Sequence, residues 1–322
     1  MGTGVWRGFT FVVLIMGILL RPFGLPAAEL QKVVISSTAG ASVGLLTELA
    51  KQYRLDEQQG LSLEIRYFDP AKAEEAIFFK QVHVGPFAPI SAARANLRGA
   101  PVRIFAPLLW LMVSVVTSVE APVRGIEELK GKRLGMYHRI TGTYTASAII
   151  WKARGLDLEK EYRLIIGAPP VVMGLLEKRE VEAAVLSEPF VTRMLVTRRF
   201  REAARLNDLW REATGQPMLM IGLAAHQEWL AANPKAAAGL VRMFRETIAR
   251  VHRTPEVIDE FRRFLNIRSE PEAQLFKERL PVVFPAVWDD ATVANARLLV
   301  QRAVELGQLE RMPADEIFVQ IR

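Results

Sequence analysis

From residue 30 onward, apolar and polar positions follow two alternating periods. Val33-Val34-Ile35 makes 32–36 read as a strand, and small residues make 37–42 a loop. Over 43–54, Leu46, Leu49, Ala50 and Tyr53 fall on one face at helical spacing. After Gly60 the period drops to two, with Leu61, Leu63, Ile65 and Tyr67 on one side of a half-buried strand at 61–68. A helix at 71–80, a short strand at 82–84, a helix at about 90–97 and strands at 102–106 and 112–118 complete a first unit. A second unit runs from about 120 to 220. It has strand patterns at 134–137, 162–166, 183–186 and 203–206 and helical patterns near 143–154, 171–179 and 189–198. The segment 219–224 reads as a strand that could carry the chain back to the first unit. Such alternation predicts parallel sheets covered by helices.

From His226 the pattern is helical. Asn233-Pro234 has the form of a helix start, a capping residue followed by proline at the first helical position. Leu240, Phe244, Ile248 and Val251 then line one face. Asp289 opens a further helix that Gly307 stops. The expected organisation is a first lobe over 29–117, a second over 118–222 and a return to the first over 223–322. The crossings fall near 114–120 and 220–226. A chain that leaves one lobe, builds another and returns encloses a cleft. Ligands favour such interfaces, and few crossings suit hinge closure.

Composition agrees with two real cores: half of the 322 residues are apolar and 24% are charged. Cysteine is absent, which excludes disulfides, thiolate metal sites, cysteine nucleophiles and a lipid-modified N-terminal cysteine. The formal charge is +7. Its densest set is Arg193, Arg198, Arg199, Arg201, Arg205 and Arg211, interrupted by Glu202 and Asp208 and without interleaved aromatics. That reads as a solvated helix face, and no nucleic-acid partner is expected. At the N-terminus, Arg7 precedes the apolar run 9–20, too short for a bilayer span of about 20 residues. Leu25-Pro26-Ala27-Ala28 follows with small residues. Residues 1–28 are therefore expected to be an export signal cut near Ala28, with an uncleaved anchor as the alternative.

The four histidines, at 83, 138, 226 and 252, have no ligand spacing, and no nucleophile, phosphate-loop or dinucleotide motif occurs. No enzyme activity, metal or cofactor is expected. The most informative run is Glu128-Leu129-Lys130-Gly131-Lys132-Arg133-Leu134-Gly135-Met136-Tyr137, followed by the polar loop 138–145 and the apolar face Ala146, Ile149, Ile150, Ala153. It reads as a turn, a buried strand and a helix opening from a small-residue loop. The first amides of that helix lack intrahelical partners and suit an anion or other acceptor.

This run resembles the second-lobe entry of ABC-transporter solute-binding proteins of the sulfonate/nitrate/taurine and thiamine-precursor-like group. Four more stretches resemble that group in the same order. They are Asp56-Glu57-Gln58-Gln59-Gly60-Leu61-Ser62-Leu63-Glu64-Ile65, the segment 89–101, Gly174-Leu175-Leu176-Glu177-Lys178-Arg179-Glu180-Val181-Glu182-Ala183 continuing to Glu188-Pro189, and Glu228-Trp229-Leu230-Ala231-Ala232-Asn233-Pro234. Together they cover most of residues 30–265. Val82-His83-Val84 lacks the group's frequent aspartate, Lys178-Arg179-Glu180 lacks its glycine, and Ser187 replaces an aromatic.

The resemblance implies an α/β, two-lobed periplasmic-binding fold of type II with the ligand cleft between the lobes and a helical C-terminal portion. It implies a periplasmic, monomeric subunit of an ABC importer that closes on a small, anionic organic solute and delivers it to an inner-membrane permease. A sensory or scavenging protein serving a membrane receptor is the alternative. A pyrimidine-precursor synthase of the same fold fits less well, because those enzymes use a cysteine-rich motif. The implied cleft contacts are Ser37, Thr38, Phe87, Trp110, Ser114, Arg139, Thr141, Thr143, Tyr144 and Glu188. All but Ser114 have a structural alternative: helix capping for Ser37, Thr38, Thr141, Thr143 and Tyr144, core packing for Phe87 and Trp110, solvent exposure for Arg139, and a helix first turn for Glu188.

Overall fold

The computed structural model describes residues 1–4, 29–139 and 141–321; the candidate export segment lies outside them. The first sheet contains β1 (Gln31–Ser37), β2 (Leu61–Tyr67), β3 (Val84–Phe87), β4 (Val102–Trp110) and β10 (Leu219–His226), in the order β2-β1-β3-β10-β4. The second contains β5 (Val113–Ser118), β6 (Arg133–Met136), β7 (Arg163–Ile166), β8 (Ala183–Ser187) and β9 (Phe200–Arg205), in the order β7-β6-β8-β5-β9. Each sheet is parallel except for one strand. β10 runs antiparallel to β3 and β4, and β5 runs antiparallel to β8 and β9. Those two strands are the ones adjoining the crossings, so each sheet is completed by the strand that links it to the other.

The strand at 112–118 therefore belongs to the second sheet, not to the first unit. Its apolar run cannot reveal which sheet it joins, since only pairing decides that. The first crossing narrows to Leu111 and Met112, and the second runs through 215–218. The two are bonded to each other, with the Leu111 amide donating to the Met218 carbonyl at 2.8 Å. The third strand starts two residues later than its apolar pattern suggested. Lys80, at φ 57°, is still closing the turn after α3 (Pro70–Phe78).

Helices α1 (Ser42–Gln52), α2 (Leu55–Gln58), α3 and α4 (Pro89–Leu97) cover the first sheet. α5 (Gly142–Ala153), α6 (Pro169–Glu177), α7 (Phe190–Leu195) and α8 (Leu206–Thr214) cover the second. The C-terminal part holds α9 (Gln227–Ala232), α10 (Pro234–Arg253), α11 (Glu270–Arg279) and α12 (Asp290–Glu305). Leu240, Phe244, Ile248 and Val251 of α10 are buried with Ile35, Leu46 and Leu49 in one core, as their spacing predicts. A second core continues through Leu111 and Val113 to Trp151 and Trp210, and so passes from sheet to sheet. Asp289 caps α12, accepting from the Thr292 amide at 2.8 Å. Asn233 precedes α10 without capping it; its side chain donates to the Trp229 carbonyl and accepts from Gln31. The C-terminus is not wholly helical, since Phe318 forms a parallel bridge with Ile104 on β4. Three of the clustered arginines, Arg199, Arg201 and Arg205, lie on or beside the edge strand β9 rather than on a helix face. Charge there blunts a sheet edge against further pairing.

Candidate functional site

Strand direction places the site. In the first sheet β1, β2 and β3 are parallel, and β4 shares their sense because it and β3 both run antiparallel to β10. β4 ends at Trp110, on the first crossing. In the second sheet Ser187, the last residue of β8, pairs with Val113, the first of β5, and β6 and β7 run parallel with β8. The carboxyl ends of the parallel strands in both sheets thus face the crossings, and the helices that follow them open there. Open α/β sheets bind ligands outside these strand ends.

The helix openings differ in how many amides they can donate. α3, α4 and α6 begin with Pro70, Pro89 and Pro169, each without an N–H. Glu74 further occupies the start of α4, its Oε1 accepting from the Ala88 amide at 2.8 Å. Burial pushes that carboxyl above its usual range, opposed by the Ala88 amide and by Ser91 and Arg94. α1 and α5 remain. Among the described residues no side chain caps α1, and its first turn holds no acid, so the amides of Ser42, Val43 and Gly44 are open to an outside acceptor. At α5, Thr141 Oγ1 accepts from the Tyr144 amide at 3.2 Å, which leaves the amides of Gly142 and Thr143.

Close packing shapes the α1 opening. A Cβ on Gly44 would lie 2.1 Å from the Thr38 carbonyl oxygen and 2.9 Å from the Phe264 ring, so only glycine admits that approach. Phe264 also packs against Tyr67, ring centroids 6.4 Å apart, and Tyr67 is Ser37's register partner at the end of β2. Tyr67 is 45% exposed. These two aromatics wall the β1–α1 loop. Sequence reasoning missed them and Glu74. Tyr67 fits an ordinary strand alternation, and Phe264 arrives from 224 residues along the chain from Gly40 only through folding.

The ten expected contacts divide. Thr38 is half-buried at the mouth of α1, and Trp110 is half-buried at the end of β4. Thr143 is buried in the first turn of α5. Ser37 is fully buried and bonded to Thr47 Oγ1 at 2.8 Å, tying β1 to α1 instead of capping a helix. Phe87 ends β3 inside the core. Thr141 caps α5. Arg139 pairs with both oxygens of Glu159, at 2.7 and 2.8 Å, and Tyr144 donates its hydroxyl to the same carboxylate. Burial and that carboxylate push the Tyr144 hydroxyl up to about 12. Ser114 and Glu188 meet in one network: Ser114 donates to Glu202 at 2.6 Å, and Arg279 binds Glu188 at 2.7 Å and Glu202 at 2.8 Å. Burial raises Glu202, but hydrogen bonds from Arg279 and Ser114 with the charges of Arg279 and Arg205 override it and hold the carboxyl at about 2.

Two surface hollows of about 320 and 200 Å³ lie elsewhere, one beside Arg103, Gln227 and Val319 and one beside Leu97, Arg311 and Asp315. Arg103 is at the amino end of β4 and Leu97 ends α4, so both sit at the far side of the first sheet. Among the described residues no group of three His, Cys, Asp or Glu side chains is placed to hold a metal. No described helix is long and apolar enough to cross a membrane.

The family model for the NMT1-like family matches residues 87–265, more than half of the chain. The chain belongs to the NMT1-like family. No curated protein sequence matches it. Among solved structures, this family member is similar to the periplasmic aliphatic sulphonate binding protein of Escherichia coli, with TM-score 0.73 and 15% identity over 88% of this chain and 95% of that one. It is similar to the alkanesulfonate-binding protein of Xanthomonas axonopodis pv. citri bound to MOPS, with TM-score 0.71 and 14% identity over 91% and 99% of the two chains. It also matches a Candida albicans protein described as having the generic periplasmic binding protein fold, with TM-score 0.59 and 13% identity over 88% and 91%. At these identities the likeness establishes the fold: a periplasmic-binding-protein architecture built from two mixed sheets.

Proposed function

We propose that this NMT1-like protein is an exported solute-binding subunit of an ABC importer that closes two lobes on a small anionic organic solute and does not transform it. The observation that carries the reading is the arrangement of helix openings. At the carboxyl ends of both sheets, one helix per sheet, α1 and α5, opens without proline and without an acid, whereas α3, α4 and α6 start with proline, Glu188 accepts from the first turn of α7, and α8 carries Asp208 in its first turn. Oriented amides and helix dipoles favour an acceptor with negative charge. Arg139, Arg193 and Arg279 are each already paired with a carboxylate, so the charge recognition rests on backbone donors. Tyr67 and Phe264 beside α1 give an organic body a surface to pack on. The related fold that holds MOPS and the sulphonate-binding neighbour make alkanesulfonates the first class to test.

A thermal-shift screen of the protein begun at residue 29 against sulfonates including MOPS, carboxylates, nitrate and size-matched neutral analogues tests this. An anion at 100 times its dissociation constant stabilises by about 2.7 kcal/mol. Stabilisation by neutral analogues alone would reject anion recognition. Sequencing the N-terminus of periplasmic protein tests export, with a start near Glu29 expected; an intact Met1 chain in the membrane fraction would replace export by anchoring.

A further inference from the structure

The second lobe is joined to the first by more than its two crossings. α11 is rooted in the first lobe, where Phe276 and Leu280 are buried with residues of β1, α1 and α10. Its opposite side is polar and reaches the second lobe. There Arg279 is held between Glu188, which follows β8, and Glu202 on β9, and Ser114 at the start of β5 donates to Glu202. The three charged side chains are 16%, 4% and 13% exposed. Glu188 is fixed in turn by the Thr192 amide at 3.1 Å, and its own amide donates to the carbonyl of Met112 on the first crossing. Arg193 of α7 meets Glu272 of α11 and the Leu265 carbonyl, at 3.3 and 3.2 Å.

α12 repeats the arrangement. Val293, Ala296 and Leu299 are buried in the core shared with α4, and the helix packs on α4 and β10. Its Asn295 reaches α8 of the second lobe, accepting from Trp210 Nε1 at 3.0 Å and donating to Thr214 at 3.1 Å. Trp210 is fully buried.

We propose that α11 and α12 are two straps whose polar contacts, Arg279 with Glu188 and Glu202, and Asn295 with Trp210, mark the axis about which the lobes turn. In a rigid rotation only points on the axis keep their distances, and displacement grows away from it. Breaking the Arg279 contact strands the buried Glu188 and leaves Glu202 only Ser114 and Arg205, and breaking the other strands a buried indole N–H; bending the two short crossings avoids both costs. The cheapest opening keeps both contacts and moves the strand ends that carry α3 and α6. This inference rests on the closing-cleft reading.

Because the chain has no cysteine, introduced pairs can be spin-labelled cleanly. One pair, Lys72→Cys with Val171→Cys, reports the cleft lips on α3 and α6; the other, Glu278→Cys with Thr197→Cys, reports the region beside the Arg279 contact. All four positions are exposed. In the ligand-free protein the lip pair should give a broad distance distribution and the second pair a narrow one. Both broad would overturn the axis and leave the closing cleft standing; both narrow would overturn the two together. Adding Arg279→Met to the second pair should broaden its distribution. Should that variant fail to fold, Arg279→Met with Glu188→Gln and Glu202→Gln leaves no buried charge unpaired, and an unchanged narrow distribution in either would also overturn the axis. The labelled pairs in the otherwise unaltered protein decide the question even if both variants unfold.

Discussion

A side chain's chemistry in this protein depends on what already occupies it. Arg139 has the charge and fork geometry to grip a carboxylate or sulfonate, yet Glu159 holds it with two hydrogen bonds. Thr143 offers less as a side chain and more as a backbone, since its amide belongs to the open first turn of α5. Arg139→Ala should therefore change the affinity for an anionic ligand by less than about 1 kcal/mol, the scale of an exposed ion pair. Thr143→Pro removes a donor and should cost about 1–3 kcal/mol. Isothermal titration with a ligand from the thermal-shift screen, with melting temperatures alongside, measures both. A large Arg139→Ala loss in a folded protein would show that the Glu159 pair opens to meet ligand.

Elements form here where local signals agree, and their ends show which signals matter. α12 begins at Asp289, whose carboxylate accepts from both the amide and the hydroxyl of Thr292, at 2.8 and 2.7 Å. Gly307 in the left-handed region, φ 68°, follows its end. Asp289→Ala should cost about 1 kcal/mol. Asn233→Ala should cost less through helix capping, because Asn233 bonds to Trp229 and Gln31 instead of to α10. Urea unfolding of the two variants compares them; equal losses would mean that Asn233 stabilises through those other bonds as strongly as a true cap. The element-level difference between α1 and its neighbours α3 and α4 lies in the first-position proline of each and in Glu74 at α4. Proline at the first helical position removes one opening amide and leaves those that follow.

At the scale of the molecule, the junction between lobes is polar where the straps touch and apolar around them. Glu202 is held at about 2, below its ordinary 4.5, so the ionised form is favoured in the folded state. The sign follows: stability from this pair is complete above pH 4.5, falls as pH drops toward 2 and is gone below it. Its size is about 2 kcal/mol, reduced from the full shift by the solvent at the carboxylate's open edge. Urea midpoints measured from pH 6 to 2.5 should fall more steeply for the natural protein than for Arg279→Met with Glu188→Gln and Glu202→Gln. Parallel curves would place the acid sensitivity in other carboxylates.

Hydrophobic period alone fixed most of the elements, because burial of one face is a local demand: α10 and β2 carry it plainly in Leu240, Phe244, Leu61 and Leu63. The alternation of strand and helix fixed the α/β class, and the small-residue loops fixed where helix openings would lie. Sheet membership was beyond it. Val113 to Ser118 reads the same in either sheet, and only the pairing with β8 and β9 assigns it. The candidate site was half legible for the same reason. A loop and the helix it starts are neighbours in sequence, so the openings of α1 and α5 could be named. Partners such as Glu159 for Arg139, Arg279 for Glu188 and Phe264 for Gly44 come from distant segments. Whether a polar group is free for a ligand depends on those partners, and tertiary packing alone decides it.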